Sequence, residues 1–231
     1  MSAGTASRGR TLDLVAVVRG IGWMFVVISA VVLLYVVYLL WFTGLATAQA
    51  QAELADHWSP KPSDAVVAET NRDDVRADPD RAPAIGEPVA VLRFERGGDA
   101  IVSDDELYVV EGVADAQLRD GPGRYPSTGM PGLSGNVAIA GHRTTYGAPF
   151  WSLDSLRHGD TIHLIDEVGD EWIYGYVKQQ IVAPSDTWVL GGDPLGTGVP
   201  TLTLTTCHPR HSAAQRLVVF AELLDHRPAS T

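Results

Sequence analysis

The hydrophobic pattern divides the chain into three parts. Residues 20–42 form an apolar stretch without a formal charge, and from about residue 48 to 88 the apolar runs give way to Asp, Glu, Arg, Ala and Pro. Beyond residue 86, short apolar or alternating runs are separated by Gly, Pro and Asp. Because a helix rises about 1.5 Å per residue, the first stretch predicts a membrane-spanning helix. The short runs predict β-strands.

The third part predicts a mostly β domain over residues 86–226, followed by a short tail at 227–231. Seven runs each predict one strand, at 89–94, 107–111, 135–140, 161–165, 171–182, 202–206 and 217–221. Short helical segments are expected at 114–119 and beyond Ala148. Many short strands at close spacing with few helices indicate a closed or sandwiched antiparallel barrel.

The charges that flank the apolar stretch predict its orientation in a membrane. Arg8, Arg10 and Arg19 precede it, whereas no Lys or Arg follows it before Lys61. Positive residues favour the cytoplasmic side, so residues 1–19 are predicted to be a cytoplasmic tail and the rest of the chain to lie outside the cell. A single-pass protein of the cell membrane is therefore expected.

A cleaved signal peptide is the alternative to a retained anchor. Ala46 and Ala48 resemble a small-residue cleavage site. The apolar core of a signal peptide is only about 7–15 residues long. The length of the run at 20–42 therefore favours an anchor.

Residues 43–85 are predicted to be an acidic, Pro-containing extracellular linker. Too little apolar surface is present there to offset the conformational entropy of folding, so a flexible stalk is expected. Residues 46–57 are polar enough to leave the bilayer, yet they are able to extend the membrane helix by a few turns. The alternative is a regulatory lid that folds over an active site, with Trp58 as the residue that would fill the cleft.

Charge and cysteine usage narrow the function classes. The 231 residues carry a formal net charge of -11, which argues against a nucleic-acid partner because phosphate binding needs clustered Lys and Arg. The chain has a single cysteine, so no internal disulfide can form and stability must come from packing. A lone thiol is either reactive or a small buried apolar group.

That cysteine, Cys207, lies in a distinctive context. The alternating run 202–206 predicts a strand before it, and Pro209 two residues later cannot continue a central strand. Cys207 is therefore expected where a strand ends. Arg216 opens the next strand, at 217–221, which is predicted to be its partner.

A thiol in this position suits nucleophilic catalysis if other groups join it. A free thiol with a pKa of about 8.5 supplies little thiolate at neutral pH, and a nearby imidazole or guanidinium favours the charged form. His142, directly after the apolar strand at 135–140, is the candidate proton carrier. Arg216 is the candidate donor to an oxyanion.

Each of these residues also has a non-catalytic interpretation. Cys207 alone fits a core position, His142 alone fits a loop histidine, and Arg216 alone fits a surface ion pair. His208 adjoins the thiol, but consecutive strand residues point to opposite faces. No HExxH or CxxC pattern supports a zinc site, so no metal and no cofactor are predicted.

Taken together, these residues resemble those of the sortase family. Residues 203–207, TLTTC, are similar to the T-L-x-T-C signature of sortases. His142 after an apolar strand resembles the sortase histidine, and Arg216, nine residues past the cysteine, resembles its arginine. The runs TLTTCHPR and GHRTTYGAPF are most similar to class E sortases of high-GC Gram-positive bacteria. The resemblance covers about residues 86–224.

The resemblance implies a mostly β fold, an eight-stranded barrel with short helices, and a cysteine transpeptidase. It implies that Cys207 is the nucleophile, that His142 is the general acid and base, and that Arg216 holds substrate and oxyanion. We also assign Thr205, Thr206, Arg143 and Tyr146 to substrate binding.

The implied substrates are secreted proteins with a C-terminal sorting motif, LPXTG or LAXTG in type, cleaved between Thr and Gly. The implied acceptor is an amine of a peptidoglycan precursor. Because class E enzymes often take alanine at the second position, the LAXTG form is preferred here, and we hypothesise that Tyr146 helps to select it.

Three alternatives stay open at this stage. A pilin-polymerising sortase would use a lysine acceptor, although no obvious lid is present. A thiol hydrolase would resolve the intermediate with water. A non-catalytic, membrane-tethered binding domain would keep Cys207 as a core residue.

Overall fold

The computed structural model describes residues 14–38, 43–58 and 83–229. The chain divides into two compact units, 1–42 and 43–231. In the first unit, helix α1 spans Leu14–Val37. Its segment Val15–Val37 has a mean hydropathy of 2.5 and is long and apolar enough to cross a membrane.

Helix α1 begins six residues before the predicted start at residue 20, and residues 39–42 lie outside the described part. Arg19 is therefore part of the helix. A long arginine side chain near a helix end can extend its charged group towards water, so a single charge does not end the helix.

The described part of the second unit contains nine strands, two α-helices and two 3-10 helices. The strands are β1 (Pro88–Arg96), β2 (Asp99–Ala100), β3 (Leu107–Glu111), β4 (Gly123–Arg124), β5 (Asn136–Ala140), β6 (Thr161–Asp166), β7 (Glu171–Val182), β8 (Thr201–His208) and β9 (Gln215–Arg227). The helices are α2 (Thr43–His57) and α3 (Asp115–Asp120), with 3-10 turns at Leu153–Ser155 and Thr187–Leu190.

The strands close into a barrel. The order is β2-β1-β3-β4-β5-β8-β9-β7-β6, and β1 also pairs with β6. That pairing closes a ring of eight strands, while the two-residue β2 is an addition to β1. The predicted eight-stranded barrel with few helices is confirmed.

The sequence predicted antiparallel pairing throughout, but two of the strand pairs are parallel. Strand β3 runs parallel to β4, and β5 runs parallel to β8. Between β5 and β8 the chain passes through β6 and β7 on the far side of the barrel, so β8 returns in the direction of β5. A parallel pair needs such a long crossover, which local sequence patterns do not reveal.

The barrel interior is a single apolar cluster. Its largest fully buried side chains include Tyr174, Phe94, Phe150, Ile162 and Leu204. A smaller cluster outside the barrel joins Val218 and Phe220 of β9 to residues of the β7–β8 connection. Strands β8 and β9 are therefore covered on both faces.

Helix α2 corrects part of the linker prediction. Residues 43–57 form a helix in the same unit as the barrel, and Thr47 in its middle is 5% exposed. Its polar composition predicted side chains that face solvent, whereas Thr47 bonds the backbone of α3 and Gln51 bonds the backbone of β3. Trp58 packs edge-on against Tyr108, with ring centroids 6.2 Å apart. Residues 59–82 lie outside the described part, so the stalk prediction there stays a prediction.

An ion pair between a partly exposed arginine and a buried aspartate joins β1 to the turn before β6. Arg96 bonds both carboxylate oxygens of Asp160, at 2.6 and 2.7 Å, and the backbone N–H of Arg157 donates to the same carboxylate at 2.9 Å. Asp160 is 1% exposed. The guanidinium holds the pKa of the Asp160 carboxyl below its usual value.

The change Asp160→Asn is expected to lower the free energy of unfolding by about 1–3 kcal/mol at neutral pH, because a charged hydrogen-bond partner is lost. A carboxyl group whose pKa is lowered by folding stabilises the protein at pH values above its ordinary pKa. That stabilisation is lost as the pH falls below about 4. Urea unfolding at neutral and acidic pH should therefore show the difference between wild type and variant shrinking in acid. Asp99→Asn, at an exposed position, is the matched control. A difference that is the same at both pH values would contradict this account.

Candidate active site

Cys207 is the penultimate residue of β8 and is half-buried. Strand β8 lies between β5 on one side and β9 on the other. The prediction that the thiol sits at a strand end, not sealed in the core, is confirmed.

Arg216 lies opposite Cys207 on β9. It is the direct pairing partner of Cys207 in the antiparallel register. Opposite residues in such a pair have Cβ atoms about 4.5–5.5 Å apart on one face of the sheet. The guanidinium donates from Nη1 to the carbonyls of Ala213 and Gln215, both at 3.0 Å, which holds it at the β8–β9 turn.

His142 lies two residues beyond the end of β5, the strand on the other side of β8. Strand β5 ends at Ala140, which pairs with Thr205, and the Gly141 N–H then donates to the Thr205 carbonyl at 3.0 Å. Extending this parallel register by two residues would align the backbone of His142 with that of Cys207. The pairing of β8 with β5 and β9 thus brings together the three chain segments that carry the predicted site residues.

The His142 imidazole lies in a partly desolvated setting. Its Nε2 is buried and has no hydrogen-bond partner among the described residues, and its ring centroid is 4.8 Å from that of Tyr146. Burial lowers the pKa of His142; the nearby Asp115 opposes this effect and Arg119 adds to it. A neutral imidazole with an open nitrogen is suited to accept a proton.

Arg143, which is predicted to bind substrate, is engaged within the protein, and its role towards substrate stays a prediction. It is 2% exposed, and its Nη2 pairs with Asp154 at 2.7 Å. Its Nη1 donates to the Cys207 carbonyl at 3.4 Å and lies 3.1 Å from Nδ1 of His208. The guanidinium therefore ties the end of β8 to the protein itself.

The two threonines before the cysteine differ in orientation. The Thr206 hydroxyl donates to the Gly141 carbonyl at 2.7 Å, which fastens β8 to the start of the His142 loop and leaves that hydroxyl engaged within the protein. Thr205 shares the face of Cys207, because strand side chains alternate. Its hydroxyl lies 3.1 Å from the phenolic oxygen of Tyr125.

Tyr125 was missed by the sequence reasoning. It follows the two-residue strand β4, and no motif or spacing in the sequence connects it with Cys207. Its contact with Thr205, on the face that carries the thiol, makes it a neighbour of the site. Tyr146, by contrast, was predicted and does lie beside His142.

The described residues hold no group of three or more His, Cys, Asp or Glu side chains arranged to bind a metal ion. The predicted site residues supply a thiol, an imidazole and a guanidinium, and the strand ends supply backbone donors. Such a set can carry out nucleophilic acyl transfer.

Comparison with known proteins agrees with this arrangement. Residues 102–224 match the family described as the sortase domain. Sortase SrtE1 of Streptomyces coelicolor is 30% identical over 92% of this chain, which spans 58% of that protein's length. Sortase SrtE2 of the same organism is 28% identical over 96% of this chain and 89% of its own length. The structure of sortase E from Streptomyces avermitilis is 35% identical, with a TM-score of 0.55 over 63% of this chain and 93% of that one.

The fold and the site define the class: a closed eight-stranded barrel that presents Cys, His and Arg from the ends of neighbouring strands. The chain belongs to the sortase family, and its relatives place it with the class E sortases.

The environment of His142 predicts its titration. We expect an imidazole pKa below the ordinary value of about 6.5, because burial penalises the charged form. Asp115→Asn should lower the pKa further, and Arg119→Gln should raise it, because each change removes a charge of known sign. An NMR titration of the ring protons, assigned with His142→Gln, provides the measurement. A pKa at or above the ordinary value, or shifts of the opposite sign, would show that this environment is wrongly described.

Proposed function

We propose that this chain is a membrane-anchored cysteine transpeptidase that acts on C-terminal sorting motifs. The observation that carries the proposal is the position of Cys207 between two strand ends, with His142 on the parallel side and Arg216 on the antiparallel side. Membership of the sortase family supports the same reaction class.

In the first half of the reaction, the Cys207 sulfur attacks the threonine carbonyl of the motif. His142, neutral at rest, takes the thiol proton and passes it to the glycine amine as the Thr–Gly bond breaks. The products are a thioester on Cys207 and the released C-terminal peptide.

In the second half, an amine attacks the thioester carbonyl. His142 accepts a proton from the attacking amine, and the thiol leaves when the new amide forms. The buried, unpartnered Nε2 suits both transfers, because no hydrogen bond within the described residues has to be broken first.

Arg216 is proposed to stabilise the oxyanion and hold the substrate. A guanidinium has five N–H donors, and only Nη1 is engaged with the turn carbonyls among the described residues. Donors that are held in place before the reaction stabilise developing charge most effectively.

The proposal also includes the location of the enzyme in the cell, its donor substrates and its acceptor. The apolar helix α1 serves as the anchor, with the N-terminus in the cytoplasm and the barrel outside. The donors are secreted proteins that carry an LAXTG-like or LPXTG-like motif, and the acceptor is an amine of a peptidoglycan precursor.

Substitutions at the three residues test the chemistry. Cys207→Ala should abolish turnover, His142→Gln should reduce kcat by about 10²–10⁴-fold, and Arg216→Lys should reduce it by about 10²-fold. Mass spectrometry of the full chain with LAXTG and LPXTG peptides, with and without an added amine, reports acyl-enzyme, cleavage and transfer.

Arg227→Lys, near the far end of β9, is the matched control and should leave turnover unchanged. Peptide cleavage by Cys207→Ala would refute the nucleophile. Hydrolysis unaffected by added amine would point to a thiol hydrolase instead.

Tyr146 is proposed to influence the second position of the motif, because its ring lies against His142 at the edge of the site. Tyr146→Ala should change the ratio of kcat/KM for LAXTG and LPXTG peptides. The competition assay is a mixture of both peptides followed by product analysis. An unchanged ratio would remove Tyr146 from specificity.

A further inference from the structure

Helix α2 is attached to the barrel unit by two polar side chains spaced one helical turn apart. The Thr47 hydroxyl lies 2.8 Å from the carbonyl of Arg119. The Gln51 amide donates to the carbonyls of Tyr108 and Asp120, at 3.0 and 2.9 Å, and its oxygen accepts from the Tyr108 N–H at 2.8 Å. Gln51 therefore pairs with β3 much as a neighbouring strand would.

These bonds satisfy carbonyls at the end of α3, the short helix Asp115–Asp120. The last carbonyls of a helix have no partner within the helix and need one from elsewhere. The approach of Gln51 is so close that a Cβ atom at Gly121 would lie 2.2 Å from its Nε2. Because Gly121 has no side chain, the Gln51 amide can lie in this position.

Helix α3 in turn faces the His142 loop. The Arg119 guanidinium lies 5.8 Å from the centre of the Tyr146 ring, which itself lies 4.8 Å from that of His142. Asp115 and Arg119, both on α3, are the charged groups that act on the imidazole. The placement of α3 therefore affects both the packing and the electrostatics of His142.

Helix α2 also contacts the same loop directly. A Cβ atom at Gly147, which has φ +72°, would lie 3.4 Å from the Thr47 methyl group. Gly147 follows Tyr146 in the chain, and Tyr146 itself has a positive φ of 51°, a conformation that a bulky residue adopts only when its surroundings enforce it. Thr47 thus lies against the backbone that carries the tyrosine.

We propose that Thr47 and Gln51 of α2 are positioning residues of the catalytic site, which act by holding α3 and the Tyr146 loop against His142. The inference rests on the proposed role of His142. It means that residues 43–57 belong to the part of the chain that full catalytic activity requires. Helix α2 is then a part of the catalytic unit and not a spacer.

The test uses the full chain with Gln51→Leu and Thr47→Val, which remove the bonding groups at nearly constant volume. Each should lower kcat by roughly tenfold, because small displacements of a catalytic group are costly, while KM for the peptide changes little. In the NMR spectrum of the same variants, the His142 ring resonances should shift. This readout needs no substrate and separates the inference from the proposed reaction.

Two controls make the outcome decisive. Gln49 lies on the same helix but, within the described residues, bonds only Glu53, so Gln49→Leu should match wild type. Thr47→Ser keeps the hydroxyl and should recover most of the activity lost in Thr47→Val. Thermal unfolding of each variant shows whether the barrel is intact, and Thr47→Val decides the matter if Gln51→Leu does not fold.

Wild-type kcat and unshifted His142 resonances in a folded Thr47→Val or Gln51→Leu variant would overturn the proposal. A rise in kcat/KM would also overturn it, because it would mean that α2 obstructs the site. If wild type does not cleave the peptides but the resonances shift, the proposed reaction fails and the positioning role stands.

Discussion

The parallel pairing of β5 with β8 is the constraint on which the site depends. It aligns Ala140 with Thr205, and His142 and Cys207 each follow two residues later. The antiparallel pairing of β8 with β9 then sets Arg216 opposite the same residue. Because backbone hydrogen bonds determine both registers, a slip of one residue would move the side chains to opposite faces.

Polar contacts reinforce this register at the point where the ladders end. The Thr206 hydroxyl bonds the Gly141 carbonyl, and Arg143 joins the Cys207 carbonyl to Asp154. Both residues belong to the motifs that carry the family resemblance, and both use their polar groups to bond the protein itself. Their positions explain how a thiol on a strand end and a loop histidine stay in fixed relation without a disulfide.

Part of this arrangement could be read from the chain. Alternation before Cys207, a proline after it and an apolar strand before His142 are local signals, and each predicts a strand end correctly. The barrel also followed, because many short strands without long helices leave few alternatives. What joined the three residues into a site was the family resemblance, since spacing alone does not reveal which strands are neighbours.

The rest depends on contacts that no local pattern records. Helix α2 has few apolar residues to bury and attaches through Gln51 and Thr47. From the polar composition of this segment, both side chains are expected to face solvent. Tyr125 meets Thr205 only because β4 lies next to β5 in the barrel. The burial of Arg143 results from the path of the loop after β5, and its position in the sequence suggested a contact with substrate.

The most direct test of the central claim is the rate at which iodoacetamide alkylates Cys207 in the native full chain as a function of pH. We expect the thiol to react in the folded state, and the pH profile of the rate to change in His142→Gln because an imidazole next to a thiol favours the thiolate. A thiol that reacts only after denaturation, or a profile that His142→Gln leaves unchanged, would contradict the convergence of these residues.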